Sequence, residues 1–291
     1  MTDFNDYRTV YNMIAKYVAK KSGKNAGHIY KLFARDHWLS EQELVDAFNG
    51  TVFLRTYANN NDNYSSDKYR PKSHVVEMSY KTQAIIDEHL LDSVIGTEPV
   101  YLDHGCGSGK ITAEVAKVIG SSKTYGVDIY EHDLLVGRNI ISLMPDINGV
   151  LPLPNNTIGV VTCLLSLHHV PQELQKKTIE ELHRTMTTGS TVLIYEHDFL
   201  ENPGFKLFLD AVHMTFSLYG TENESEGKDN SLSTSPKKIS VPDVKWIFDT
   251  WYRSKKEWTT MFTDSGFKCQ VCPVSDSYKN SQRMYMATYT K

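Results

Sequence analysis

Apolar positions along the chain change their period twice, and the changes mark three regions. Near the N-terminus Tyr11, Ile14, Ala15 and Val18 recur at roughly 3.6-residue spacing, and Ser40-Glu41-Gln42-Glu43 offers a capping box ahead of Leu44 and Phe48. Residues 1–75 therefore predict short helices, ending in a polar stretch, Asn59–Asp67, that predicts a loop. From about residue 76 to 200, short apolar runs alternate with helical patterns, the signature of a parallel α/β sheet. Strands are expected at Pro99–Asp103, Lys123–Asp128, Ile158–Leu164 and Ser190–Glu196, with helices over 109–119, 131–143 and 171–186. Beyond Glu201 the pattern loosens. Phe205–Tyr219 predicts a helix, and Gly220–Ser240 has too few apolar groups to pack and predicts a mobile loop. Helical patterning resumes over Pro242–Trp258, and Lys268–Val274 with Arg283–Tyr289 predict an antiparallel pair at a sheet edge. This divides the chain into an N-terminal helical extension or lid, 1–75, and a larger domain, 76–291.

Composition narrows the class without deciding it. Hydrophobic residues at 40% and charged residues at 23% of 291 exclude a chain disordered throughout. No run approaches the roughly 18 apolar residues of a membrane span, so no membrane partner is expected. The acidic, polar start (MTDFNDYRTV) is not a secretory signal, and four cysteines in so long a chain fit a reducing, cytoplasmic setting. Charge alters the picture locally. The net charge is -4, yet Lys16, Lys20, Lys21, Lys24, Lys31 and Arg35 fall between residues 16 and 35 with no acid among them. Such a stretch fits a polyanion, and it equally fits a solvated helix face. Gly23 and Gly27 leave two forms open: one helix with the lysines on a face, or two short helices joined by a Ser22–Gly27 turn.

The most informative stretch is Tyr101-Leu102-Asp103-His104-Gly105-Cys106-Gly107-Ser108-Gly109-Lys110. A strand runs into alternate glycines and a helix follows directly, so the backbone can approach a ligand while the helix start presents free N–H groups. A phosphate-binding P-loop needs glycine at 104 and Ser or Thr at 111, where His104 and Ile111 stand. A dinucleotide fingerprint needs glycine at 110, where Lys110 stands. Both fail.

What remains, an acidic residue followed by G-x-G-x-G, resembles motif I of the class I S-adenosylmethionine-dependent methyltransferases. Tyr125-Gly126-Val127-Asp128 then places an acid at the end of the next strand. Leu151-Pro152-Leu153-Pro154-Asn155-Asn156-Thr157-Ile158 resembles the "LPLPDNSFDVV" passage of the broad group that includes ubiquinone-biosynthesis-type methyltransferases, and Leu167-His168-His169-Val170 resembles its "LHHV". Gly159 stands where that group often has aspartate. The likeness covers about residues 80–196. It implies a Rossmann-like fold: a seven-stranded, mostly parallel sheet with a final antiparallel strand, helices on both faces, and the N-terminal extension outside it. It also implies S-adenosylmethionine as cofactor, bound through Asp103, Gly105, Gly107, Gly109, Asp128, Ile129 and Leu165. Asp146 or Asn148 would contact adenine, with Asp146 favoured because a carboxylate accepts from the exocyclic amine.

In open α/β sheets reacting groups gather beyond the carboxyl ends of the strands. His168 and His169 at the end of the fourth strand, and Glu196 and His197 at the end of the fifth, are therefore the candidate catalytic residues. Either histidine could position substrate or accept a proton, or merely cap a loop. Tyr195-Glu196-His197-Asp198 resembles a strand-five "REHD" of uncharacterised viral methyltransferases, with Tyr195 replacing the arginine. Cys269-Gln270-Val271-Cys272 has no second cysteine pair, so no metal is expected. Two acceptor classes stay open. One is RNA, of the cap guanine N7 type, bound through Lys16, Lys20, Lys21, Lys24, Lys31 and Arg35. The other is a small molecule such as a quinone, sterol, phenol or amine.

Overall fold

Alternation within the apolar runs builds a sheet covered on both sides. In the computed structural model, which describes residues 3–59, 80–87, 91–128, 137–219, 238–271 and 284–291, the strands are β1 (Val100–His104), β2 (Lys123–Val127), β3 (Ile140–Leu143), β4 (Ile158–Leu164), β5 (Met186–His197), β6 (Lys268–Val271) and β7 (Met284–Thr290). Their order is β3-β2-β1-β4-β5-β7-β6. The pairs from β3 to β5 are parallel, and β7 is antiparallel to both β5 and β6. This is the expected seven-stranded Rossmann-like sheet. Leu102, Val161, Cys163, Val192 and Ile194 pack with Ile179 and Leu182 of α6 (Gln172–Thr185) and Trp258 and Phe262 of α9 (Lys255–Asp264). Their alternates Tyr101, Val160, Leu164, Leu193 and Tyr195 pack with Val115 and Ile119 of α5 (Lys110–Ile119) and Ile85 of α4 (Tyr80–Asp87). Each such fully buried aliphatic side chain contributes about 1.5–3 kcal/mol against an exposed one.

The chain clusters into two compact units, residues 1–77 with 200–249, and residues 78–199 with 250–291; the sequence reading had cut it once, at residue 75. The first unit holds α1 (Tyr7–Ser22), α2 (Ala26–Phe33), α3 (Glu41–Asn59), α7 (Pro203–Tyr219) and α8 (Lys245–Phe248). Within it α7 packs on α1, which carries buried Tyr11, Ile14, Ala15 and Val18 on one face. The basic stretch takes the two-helix form. Asp6 caps the start of α1, Gly23 ends it at φ 71, and Asn25 caps α2. The capping box at α3 forms as read, with Glu43 accepting from the Ser40 N–H and hydroxyl, both at 2.9 Å.

Two helix expectations are corrected. Residues 140–143, read as the end of a helix, form the edge strand β3, while 129–136 lie outside the described residues. Residues 249–254, read as helix within Pro242–Trp258, are not helical, because Ser254 opens α9 with its own capping box to Glu257. The loops expected at 59–67 and 220–240 fall almost wholly outside the described residues. Cys106 and Cys163 are free and buried. Cys269, on the edge strand β6, is disulfide-bonded, which the expectation of a reduced chain did not contain. Among the described residues no helix is long and apolar enough to cross a membrane.

Candidate active site

Strand order reverses between β1 and β4, and the crevice beyond their carboxyl ends is where doubly wound sheets bind ligands. The turn leaving β1 has Gly105, Gly107 and Gly109 at φ +76, +50 and +73, conformations that side chains rarely adopt. A Cβ on Gly105 would stand 2.2 Å from the Ser166 Cβ, so only glycine lets the turn after β1 touch the turn after β4. A Cβ on Gly107 would meet no atom within 4 Å, so that face of the turn opens on space. The turn is held from β2: the Val127 carbonyl accepts from the N–H groups of Gly105 (2.7 Å) and Cys106 (3.1 Å), and Asp128 Oδ2 accepts from the Gly107 N–H at 2.8 Å. Beneath it Asp103 is buried, its two carboxylate oxygens accepting from the hydroxyls of Thr162 and Thr112, both at 2.6 Å. Burial pushes the Cys106 thiol up to about 12, so it stays protonated.

Beyond β4 the backbone turns sharply. Leu165 sits at φ +62 and donates its N–H to the Tyr195 carbonyl at 2.7 Å. A bulky residue held in the left-handed region marks a site whose surroundings over-determine it. Glu196, at the end of β5, fixes the next three residues. Its Oε1 accepts from the N–H groups of Ser166 (2.9 Å) and Leu167 (2.8 Å), and its Oε2 lies 2.6 Å from His168 Nδ1. Both side chains are 1% exposed. Burial raises the Glu196 carboxyl above its usual range, while His197 and the N–H groups it accepts from pull the other way.

The four candidate catalytic residues come together: the His168 ring lies 4.2 Å from that of His169 and 5.3 Å from that of His197. Tyr252 stacks on His168 at 5.1 Å, and the His168 carbonyl accepts from the Trp251 N–H at 2.7 Å. Gln175 adds a tie, donating to the carbonyls of Leu167 and Trp251. His104 joins the two turns, with Nδ1 3.3 Å from Ser166 Oγ. Burial pulls its imidazole down to about 4, against the opposing pull of Asp128 and Glu196, so it is neutral near pH 7.

The Leu151–Asn156 passage has a structural explanation. Arg184 donates to the carbonyls of Leu151 and Leu153, to Asn155 Oδ1 and to both oxygens of Glu181, and Glu181 Oε1 also accepts from the Leu151 N–H. Ahead of it, Asp146 Oδ1 accepts from the N–H groups of Val150 and Asn148, both at 2.8 Å, which holds its carboxyl below the usual range. Asp146 and Asn148 are both exposed in this turn. Ile129 lies outside the described residues.

Residues 102–189 match the family described as a methyltransferase domain. With the strand order and the glycine turn, that match decides the assignment. The chain carries a class I methyltransferase domain. It is 31% identical over 112 residues to a demethylmenaquinone methyltransferase of Lysinibacillus sphaericus, covering 36% of this chain and 47% of that protein. It is 30% identical over 105 residues to one of Symbiobacterium thermophilum, covering 33% and 41%. The chain thus spans under half the length of these curated relatives. A solved methyltransferase structure from Aquifex aeolicus is similar at TM-score 0.44 and 16% identity, over 69% of this chain and 87% of that one. The cofactor of such a domain is S-adenosylmethionine, and the turn after β1 offers an open face at Gly107 with the Asp128 carboxylate beside it. Sequence reasoning passed over His104, Gln175 and Tyr252. His104 carried a signal, since it stands between the motif's acid and its first glycine.

Proposed function

We propose that the protein is an S-adenosylmethionine-dependent methyltransferase acting on a small organic acceptor. The open face at Gly107, bordered by Asp128, carries the reading. The cofactor, when bound, supplies a methyl group already activated on a sulfonium. The chain's part is to hold and align it. Gly105, Gly107 and Gly109 would let the backbone approach the cofactor, Asp103 places negative charge beneath the turn, and Asp128 would accept from the ribose hydroxyls. Leu165, Ile129 and one of Asp146 and Asn148 would surround the adenosyl half. His168, His169, Glu196 and His197 form the catalytic face, where alignment of the acceptor contributes most of the rate. The small-molecule reading is supported by the demethylmenaquinone methyltransferases to which the chain is similar, whose name specifies a quinone-type acceptor.

Calorimetry tests the cofactor site: S-adenosylmethionine and S-adenosylhomocysteine should bind, and Asp128→Ala should lose about 1–3 kcal/mol, the cost of leaving hydroxyls unpaired. Unchanged affinity removes Asp128 from the site. A tritiated-methyl screen across a quinol, a small-molecule extract, capped RNA, uncapped RNA and DNA tests the acceptor.

An RNA-directed enzyme of the cap guanine N7 type is the second reading. Its support is that Lys16, Lys20, Lys21, Lys31 and Arg35 are all exposed, although Lys24 points inward to the Thr51 carbonyl at 3.4 Å.

A further inference from the structure

The basic stretch near the N-terminus plays no part in a small-molecule methyl transfer, and the helices α1 and α2 set its charges in order. From Tyr7 to Arg35 the chain holds no Asp or Glu. α1 buries Val10, Tyr11, Ile14, Ala15 and Val18. Its exposed positions Arg8, Asn12, Lys16 and Lys20 recur every fourth residue, which puts them along one helix face, and Lys21 is exposed in the last turn. α2 buries Ile29 and Phe33 and exposes His28 and Lys31, with Arg35 exposed just beyond its end. Among the described residues none of these lysines and arginines is in an ion pair, whereas Arg184, Lys206, Lys245 and Arg253 each meet a carboxylate at 2.6–3.2 Å. The basic groups of α1 and α2 thus present uncompensated charge to solvent.

We infer that this face docks the protein on the surface of an anionic lipid bilayer. Charge complementarity carries the inference: six exposed basic groups stand in an acid-free stretch of a chain whose net charge is -4, a cluster of the size that anionic headgroups attract. Four of the six are lysines. Their compact charges suit a diffuse plane of headgroups, whereas the bidentate contacts of nucleic acid favour guanidinium forks. Rings that could stack bases are turned inward, since Tyr11 and Phe33 are buried and Tyr17 packs against Phe208 and Phe216 with ring centroids 6.3 Å apart. Neither helix exposes a large hydrophobic side chain, so the contact rests on the headgroups and does not enter the acyl layer. Such a contact needs no spanning helix, and the expectation of no membrane partner rested on spans alone.

Co-sedimentation of the full chain with vesicles tests the inference. Mixed phosphatidylglycerol–phosphatidylcholine vesicles should carry the protein down at low salt, pure phosphatidylcholine vesicles should not, and added salt should release it. Each basic group held at an anionic surface raises partition by about fivefold, so Lys16→Gln, Lys20→Gln and Lys31→Gln together should lower it by about 10²-fold. A second variant takes three exposed lysines from the other unit, Lys117→Gln, Lys123→Gln and Lys256→Gln. It has the same net charge and should bind like the wild type. Unchanged binding in the first variant overturns the inference, and so does equal loss in both, which would reduce the effect to net charge. Binding to neutral and anionic vesicles alike also overturns it. Retention of single-stranded RNA through Lys16, Lys20 and Lys31, with no vesicle binding, overturns it in favour of nucleic acid. S-adenosylmethionine binding, followed by calorimetry on the same protein, bears on the methyltransferase reading alone, so the two can fail separately.

Discussion

A Cβ at Gly105 and one at Gly107 would meet opposite fates, and the contrast separates folding from binding. At Gly105 it strikes the Ser166 Cβ at 2.2 Å with φ at +76. Alanine there should destabilise the chain by roughly 2–5 kcal/mol in urea unfolding, the sum of a left-handed conformation and an overpacked contact. At Gly107 nothing lies within 4 Å, so alanine should cost about 1–2 kcal/mol of stability and yet lose cofactor affinity by calorimetry. If Gly107→Ala binds S-adenosylmethionine normally, the open face is not the cofactor's. His104 gives a pH prediction. Its imidazole titrates at about 4 in the fold against 6.5 when exposed, so the unfolded chain takes up the proton first as pH falls. The stability it contributes is whole above about pH 6.5 and is lost as pH drops toward 4, by up to roughly 3 kcal/mol. His104→Asn should flatten that part of the stability–pH curve. The glycines and Asp128 were legible because spacing excludes the other nucleotide loops. Ser166 and Tyr252 act through contacts between distant segments, and no local pattern encodes those.

At the scale of elements, the "LPLP" passage shows how a motif can be legible and its purpose not. One guanidinium holds it to α6, with Arg184 donating to the carbonyls of Leu151 and Leu153 and to Asn155. The partner Glu181 is nearly buried, at 10% side-chain exposure. Arg184→Ala leaves that carboxylate and two carbonyls short of donors, and should lower unfolding free energy by about 2–4 kcal/mol. Arg184→Lys should recover little, because the planar fork serves several acceptors at once and an ammonium does not. Full recovery by lysine would show the clamp to be simple charge pairing. The buried strands β1, β2, β4 and β5 could be read from their apolar runs. The edge strand β3 could not, because Ile141 and Ser142 are exposed and leave no alternation to detect. The break at 249–254 was encoded by Ser254 and Glu257, a capping pair hidden within a longer run of helical spacing.

Across the whole molecule, charge is the quantity that separates the two acceptor classes. The chain is net negative at -4, and a nucleic-acid enzyme of that charge must concentrate its attraction in one place. The only run of basic residues without an intervening acid that the sequence reading singled out is 16–35, and there Lys24 is turned to a carbonyl, leaving Lys16, Lys20, Lys21, Lys31 and Arg35 exposed. If those five groups neutralised five phosphates of a single strand, log affinity would fall by about 3.5 per log unit of salt, at roughly 0.7 for each. The small-molecule reading expects no such slope. RNA should not be retained at moderate salt, and reversing the charge of Lys20, Lys21 and Lys31 together should leave turnover on a phenol or quinol unchanged. Filter binding across a salt series, with the triple variant beside the wild type, decides it. A steep slope that flattens in the variant, together with methyl transfer to capped RNA, would move the acceptor to RNA.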